Sequence, residues 1–435
     1  MKRFITLIDI ALFIVLGSLF FASAVIVIII FSILPKKRNN DHAVNRLSFV
    51  IADYISGGSP YLEEDVLLDG YISRDYSIYI DYVNNYDRFK KIGKSIEVYS
   101  IAAHPGTLVY NMGFRALSAL VLELKVLRMA FSISGNANIS FIESHDPHIL
   151  GLNGLIVSRV LRLPAILHIN SDFNMKYKGT SVVSNPVFFS RGIERAFERI
   201  IMAFYDLLMV DREYYRRSGM MSKRCANRYR SFGVRVDLQH YAERPGRKDL
   251  RHELGIGGKR AILYVGRLHP VKYPEDAMRA LTIVRKRGVD AVLLMAGDGV
   301  LREKLEEMAR REAIADSVLF LGQVDSERLV DLYASSDILI APHGGVTLVE
   351  SALAATPAVA YDFDWHSEFI DDGRNGLLVK FHDVESLASS CVRLLRDSAF
   401  RDNCAALARE KAFRMCSRQA SIDRQKSIYE EVLKK

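Results

Sequence analysis

In the segment Tyr264-Val265-Gly266-Arg267-Leu268-His269-Pro270-Val271-Lys272-Tyr273-Pro274, a glycine closes a short apolar run and two cations stand five residues apart ahead of a helix-starting proline. That grouping suits a pair of phosphates. Gly266 allows close approach to the backbone, Arg267 can grip two oxygens with its planar fork, and Lys272 adds a mobile point charge. A second segment, Ala341-Pro342-His343-Gly344-Gly345-Val346-Thr347-Leu348-Val349-Glu350, joins an apolar strand to a helix through a glycine pair. Free backbone N–H groups at such a junction favour an anion, so Gly344, Gly345, Val346 and Thr347 are expected to line a phosphate or sugar. Glu350 is expected about a turn and a half into that helix, beside Val349, Ala352 and Leu353. A carboxylate there is costly to bury without a hydroxyl or cation to bind, and a ribose diol is one such partner. Read alone, Glu350 is equally a carboxylate on a helix surface, and Arg267 with Lys272 a solvated pair on a loop.

Residues 341–361 resemble the signature of family 4 retaining glycosyltransferases of the GT-B fold, in which a glutamate of this helix holds the nucleotide ribose. The resemblance covers roughly residues 140–435 and is strongest over 264–379. It implies that Arg267 and Lys272 hold the donor diphosphate and stabilise the leaving group, so that neither a metal nor another cofactor is required. It also implies that the backbone at Gly322-Gln323-Val324 receives the base, which puts Gln323 on the donor side. The family usually carries a second glutamate with seven residues between the two. Pro342-His343 stands in its place here, so His343 joins the donor residues and the sugar contact is left open.

In the first half, Ser144-His145-Asp146-Pro147-His148 resembles the family's strand-end His-Ser-Pro. Asn170-Ser171-Asp172-Phe173 falls where many members carry His-Gly-Asp-Phe, so Asn170 replaces a histidine. A neutral asparagine orients a hydroxyl but cannot act as a base. A proton would pass instead to His145, His168, Asp172 or the departing diphosphate oxygen. The catalytic candidates are therefore Arg267, Lys272, His145 and Asn170, with Gly57, Gly58 and Asp172 on the acceptor side. The plainer readings are a histidine hydrogen-bonded beneath a loop and a glycine pair that merely turns. Asp298 reads as the cap of a helix from Val300, and Asp362-Phe363-Asp364 as a lining or capping loop rather than a metal pair.

The elements that must position these residues alternate β and α. At 435 residues, the chain has room for two α/β domains, each with its own core. Short apolar runs near 47–53, 76–82, 96–101, 140–144, 165–169 and 207–210 alternate with helical patterns, and the pattern restarts after the polar Pro/Gly segment at 243–248. The expected fold class is α/β, two Rossmann-like doubly wound domains facing a cleft. The domains are read as 41–245 on the acceptor side and 246–415 on the donor side, with 416–435 a last helix that packs back on the first, as the family's does. Ahead of them, residues 10–34 are an uncharged apolar run of 25 residues, long enough for a transmembrane anchor within 1–40.

The net charge of +8 suits anionic lipid, nucleotide diphosphates or lipid-phosphate acceptors more simply than nucleic acid. The basic cluster Arg212, Arg216, Arg217, Lys223, Arg224, Arg228 and Arg230, interleaved with Tyr214, Tyr215 and Tyr229, reads as a solvated face or a lipid contact. Four cysteines without Cys-x-x-Cys spacing speak for reduced thiols rather than a disulfide or zinc framework. The expected function is transfer of a sugar, with retention, from a nucleoside diphosphate sugar to a lipid-linked or polysaccharide acceptor. The enzyme is expected to be membrane-anchored by one N-terminal span with its domains in the cytoplasm, where nucleotide sugars are made. The rivals are a weakened GT-B protein that binds nucleotide sugar as a scaffold, and an inverting GT-B enzyme.

Overall fold

The computed structural model describes residues 23–24, 43–50, 71–81, 87–92, 94–102, 115–169, 177, 190–218, 223–234, 250–416 and 418–434. Its first sheet contains β1 Asn45–Val50, β2 Arg74–Asp81, β3 Arg88–Ile92, β4 Ile96–Ala102, β5 Phe141–Ser144, β6 Ala165–Ile169, β7 Leu207–Val210 and β8 Tyr229–Ser231. They lie in the order β3-β4-β2-β1-β5-β6-β7-β8, parallel except for β3 against β4. Helices α1 Arg115–Asn136, α2 Ile149–Leu161 and α3 Arg191–Phe204 place Val126, Leu155 and Ile201 in one core with Leu47, Phe49, Ile78 and Leu167. A four-residue helix, α4 Tyr214–Arg217, follows β7.

After α5 Leu250–Glu253, the second sheet is built from β9 Arg260–Val265, β10 Ala291–Ala296, β11 Val318–Gly322, β12 Ile338–Ala341, β13 Ala358–Tyr361 and β14 Leu377–Val379. Its order is β11-β10-β9-β12-β13-β14, parallel throughout. The crossovers are α6 Pro274–Lys286, α7 Arg302–Arg311, α8 Ser326–Ser335, α9 Thr347–Leu353 and α10 His366–Phe369, followed by α11 Val384–Arg396 and α12 Ser398–Met415. The strands read as continuous apolar runs because both faces are covered. Ile262, Leu293 and Ile340 enter one core and Leu263, Leu294 and Leu339 the other.

Both sheets reverse direction at one point. The first grows outward from β1 through β2 and β4, then restarts at β5 on the other side of β1; the second grows from β9 through β10 and β11, then restarts at β12 beside β9. Ligand crevices in such sheets lie beyond the strand carboxyl ends at the reversal. In the second domain that position falls on Gly266-Arg267 after β9 and Pro342-His343 after β12.

The last helix, α13 Arg418–Leu433, lies on the first sheet, where Ile422, Ile428, Tyr429 and Val432 share a core with Phe141, Ile166, Leu207 and Met209. Beneath it runs a buried polar ladder. Arg46 Nε donates to Asp75 Oδ1 and its Nη1 to Glu143 Oε2, both at 2.9 Å. Tyr429 Oη donates to the same Glu143 oxygen at 2.9 Å, and Ser48 and Ser77 donate to Asp75 at 3.0 and 2.9 Å.

Three strands escape the sequence reading. β3, β8 and β14 are short, and β3 is an exposed polar edge with no apolar alternation, so its strand character comes only from pairing with β4. The expected membrane span lies outside the described residues apart from Ser23 and Ala24. Among the described residues, no helix is long and apolar enough to cross a membrane.

Candidate active site

The Arg267 loop is seated by backbone contacts. Gly266 N donates to Ala296 O at 3.0 Å, Leu268 N to Asp298 O at 2.9 Å, and Leu301 N to Leu268 O at 2.9 Å. A Cβ on Gly297 would lie 2.0 Å from Gly266 O, and one on Gly299 2.6 Å from Leu268 O. The Gly297-Asp298-Gly299 turn is therefore glycine-rich because another backbone rests on it. Asp298 departs from expectation: its carboxylate accepts from Gly299 N at 2.7 Å, and the helix beyond starts at Arg302 with no side-chain cap.

The two phosphate-type segments meet. Lys272 Nζ donates to His343 O at 3.3 Å, and His343 Nδ1 lies 2.6 Å from Val271 O. Burial, aided by the charge of Arg267, lowers the Lys272 ammonium to about 8, whereas Arg267 itself is exposed. The His366 ring nitrogens face Tyr361 O at 2.7 Å and Gly344 O at 3.0 Å, tying the glycine turn to the loop after β13. Neither Gly344 nor Gly345 has positive φ, so the pair is not needed for backbone conformation. A Cβ on Gly344 would strike Leu348 at 2.7 Å, while one on Gly345 would meet nothing within 4 Å. Gly345 leaves room.

Glu350 sits in the first turn of the seven-residue α9 rather than a turn and a half along, because the helix begins only at Thr347. Tyr333, fully buried on α8, donates its hydroxyl to Glu350 Oε2 at 3.0 Å. Nothing in the sequence signals that partner. Thr347 Oγ1 is buried without a hydrogen-bond partner. Gln323 is exposed just beyond β11, next to Gly322, whose carbonyl accepts from Gly297 N at 2.7 Å.

The domains are clasped by the loop after β13 and the short α10 that follows it. Glu368 accepts from Glu213 N at 3.2 Å and Tyr214 N at 2.9 Å, so this carboxylate caps a first-domain turn instead of facing a ligand. Arg212 lies 4.6 Å over the ring of Trp365, the chain's single tryptophan. Asp364 Oδ2 is 3.5 Å from His343 Nε2. Burial pushes the Asp364 carboxyl up, but His343 and the charge of Arg212 outweigh it and hold the group below its usual range.

The basic cluster is only in part a solvated face where it is described, since Arg216 is exposed whereas Arg212, Arg228 and Arg230 are half-buried. Tyr215 and Tyr229 are buried, Arg228 donates to the carbonyls of Ala203 and Tyr205, and Arg230 pairs with Glu431 at 2.7 Å. These arginines satisfy helix and strand ends that the sequence pattern does not reveal.

In the first domain, His145 follows β5 at the sheet reversal, its N–H donating to Phe49 O at 3.0 Å. Its Nε2 lies 3.4 Å from Glu143 Oε1, and His168 Nδ1 lies 3.6 Å from the same oxygen. Although burial pushes it up, Arg46 and the two histidines hold the Glu143 carboxyl well below the ordinary range. Among the described residues, two groups have metal-ligand spacing, Glu143 with His145 and His168, and His148 with Glu194 and Glu198. Arg46 already pairs with the first and Arg191 with the second. Gly57, Gly58, Asn170 and Asp172 lie outside the described residues.

Two Rossmann-like domains with a cationic loop at the second sheet's reversal define a two-domain α/β fold of the GT-B type. Residues 246–411 match the family model described as Glycosyl transferases group 1. An alpha-D-kanosaminyltransferase of Streptomyces kanamyceticus is 25% identical over 284 residues, covering 64% of this chain and 73% of that protein. A D-inositol 3-phosphate glycosyltransferase of Nocardia farcinica is 33% identical over 175 residues, covering 37% of this chain but only 38% of its own length. Among solved structures, a sucrose-phosphate synthase of Thermosynechococcus elongatus superposes with a TM-score of 0.71 at 17% identity, covering 90% of this chain and 99% of that one. Anabaena HepE in complex with UDP-glucose superposes with a TM-score of 0.65 at 17% identity, covering 90% of this chain and all of that one. Together these findings give one enzyme class, glycosyltransferase.

Proposed function

We propose that this chain transfers a glycosyl group, with retention, from a nucleoside diphosphate sugar to a lipid-linked or glycan acceptor. The observation that carries the proposal is the meeting of the Arg267–Lys272 loop with the His343–Glu350 segment at the reversal of the second sheet. Arg267 and Lys272 neutralise the diphosphate as the glycosidic bond breaks, a charge that develops toward the transition state and is best met by groups already in place. Glu350, oriented by Tyr333, accepts from the ribose hydroxyls. Gly345 leaves space for the sugar or a phosphate. The departing diphosphate oxygen takes the acceptor's proton on the same face, which suits a chain with asparagine at position 170. HepE, of the same fold, is described with UDP-glucose, which supports a nucleotide-sugar donor here. The apolar run at 10–34 favours an acceptor at a membrane, with the domains on its cytoplasmic side.

A second reading, donor binding with little turnover, rests on His343. It follows Pro342, the position where the family's first glutamate is expected, and is fastened to Val271 and Asp364. The test is release of nucleoside diphosphate from a donor panel by the full chain in detergent, with and without lipid-phosphate acceptors. Arg267→Ala is expected to lower kcat roughly 100-fold or more, the usual cost of removing one transition-state donor, and Glu350→Ala to raise the donor KM. Unchanged activity in either variant overturns the site assignment, and donor binding without turnover selects the second reading.

A further inference from the structure

We propose that Arg212, carried by the first domain, is a third cation of the donor diphosphate site, and that Asp364 shares with the adjacent Asp211 the role of its counter-ion until the donor arrives. The inference rests on the donor-site reading above and extends it across the cleft.

Arg212 lies two residues past the end of β7 and its guanidinium leaves its own domain to lie over Trp365. The placement is constrained from both sides. Glu368 holds the next two backbone amides, and Tyr215 Oη accepts from Arg212 Nη1 at 3.2 Å. Yet the fork is not satisfied: Arg212 Nε is buried and makes no hydrogen bond, its nearest carboxylate being Asp211 at 3.6 Å. Across the interface, Asp364 Oδ1 and Trp365 Nε1 are also buried without partners, as is Thr347 Oγ1 on the segment that His366 ties to the same loop. Buried polar atoms left unpaired are uncommon because each forfeits its hydration. Unpaired on both sides of the interdomain contact, these are the groups that a polar ligand between the domains would satisfy.

The charges point to an anion. The Lys272 ammonium is suppressed by burial, by Arg267 and, more weakly, by Arg212, with Asp364 opposing. Arg212 and Arg267 thus both act on Lys272, and among the described residues Asp364 is the carboxylate that opposes them. Arginine suits this place better than lysine, since a planar fork can stack on Trp365 and still present N–H groups to phosphate oxygens. Because Arg212 belongs to one domain and Arg267 with Lys272 to the other, the diphosphate site is complete only when the domains are docked through the loop at 364–368.

Calorimetric titration of the full chain in detergent with UDP and GDP, and with uridine and guanosine, reads the proposal. The expected result is that Arg212→Gln weakens the binding diphosphate by about 10- to 150-fold, the range for losing one hydrogen bond to a charged group, and leaves the nucleoside within about twofold. Arg212→Lys should recover part of that loss. If Arg212 only holds the domains together, diphosphate and nucleoside weaken alike and the ratio stays fixed, which overturns the proposal. Should Arg212→Gln fail to fold, Asp364→Asn gives the same reading with opposite sign: tighter diphosphate binding supports the counter-ion role, and unchanged or weaker binding overturns it. If the unmodified chain binds neither diphosphate, the donor-site reading itself falls; if it binds one and the ratio is unmoved, only Arg212 loses its role.

Discussion

Lys272 combines a buried ammonium, a carbonyl partner in His343 and a neighbouring guanidinium, and its pH behaviour follows from that setting. Burial comes first and Arg267 second in lowering its pKa from the usual 10.5 to about 8. Between those values the unfolded chain binds more protons than the empty folded protein, so the stability of the empty protein rises with pH across that window. Diphosphate binding has the opposite sign, because only the ammonium form pairs with phosphate. Affinity for the nucleoside diphosphate should therefore fall as pH rises through about 8, and Lys272→Arg should remove that limb, since a guanidinium stays charged. Titration calorimetry between about pH 7 and about pH 9.5 is the check; a limb that persists in Lys272→Arg assigns it to another group. The types of Arg267, Lys272 and Glu350 were legible as a phosphate pair and a diol acceptor because those chemistries need specific side chains at short spacing. Tyr333 was not, because a tyrosine on the preceding helix joins the site only through packing, and Asp364 was legible as part of a lining or capping loop but not as the partner of His343.

At the scale of elements, the β9–α6 loop is held by what lies under it. Gly297 has φ 137° and no room for a Cβ beneath Gly266 O. Gly297→Ala should therefore cost about 1–3 kcal/mol and also shift the loop bearing Arg267 and Lys272. Gly345→Ala is the contrast, because its backbone is ordinary and its surroundings open. It should change stability by less than about 0.5 kcal/mol while weakening donor binding through lost space. Urea unfolding alongside diphosphate titration separates the two, and a Gly345→Ala variant that binds normally would show that no ligand approaches there. Most elements of the second domain follow from apolar runs bounded by glycine and proline, since a strand buried on both faces has no other composition open to it. The short α9 and the bare amino end of α7 were misread because helix starts depend on loop geometry that periodicity does not carry.

At the scale of the whole molecule, the first domain is closed by the last helix over a buried charge ladder. Arg46 is the cation shared by Asp75 and Glu143, so Arg46→Met should leave two buried carboxylates without it and cost about 3–5 kcal/mol. Tyr429→Phe removes the hydroxyl that donates to Glu143 and accepts from Gln425 and Arg46, and should cost about 1–3 kcal/mol, the range for leaving a buried group unpaired. Denaturant midpoints of the full chain measure both, and a loss below about 1 kcal/mol for Arg46→Met would mean that His145 and His168 already balance the ladder. By itself, the sequence determined the α/β alternation, the restart that divides the chain, and the cationic loop and carboxylate of the second domain, because each is written in neighbouring residues whose geometry the backbone dictates. Tertiary structure alone decided that Arg212 leaves the basic cluster to lie on Trp365, that Glu368 holds amides 154 and 155 residues away, and that α13 covers Glu143. Those contacts join residues whose separation along the chain carries no information about their distance in space; only the docking of two separately buried cores sets it.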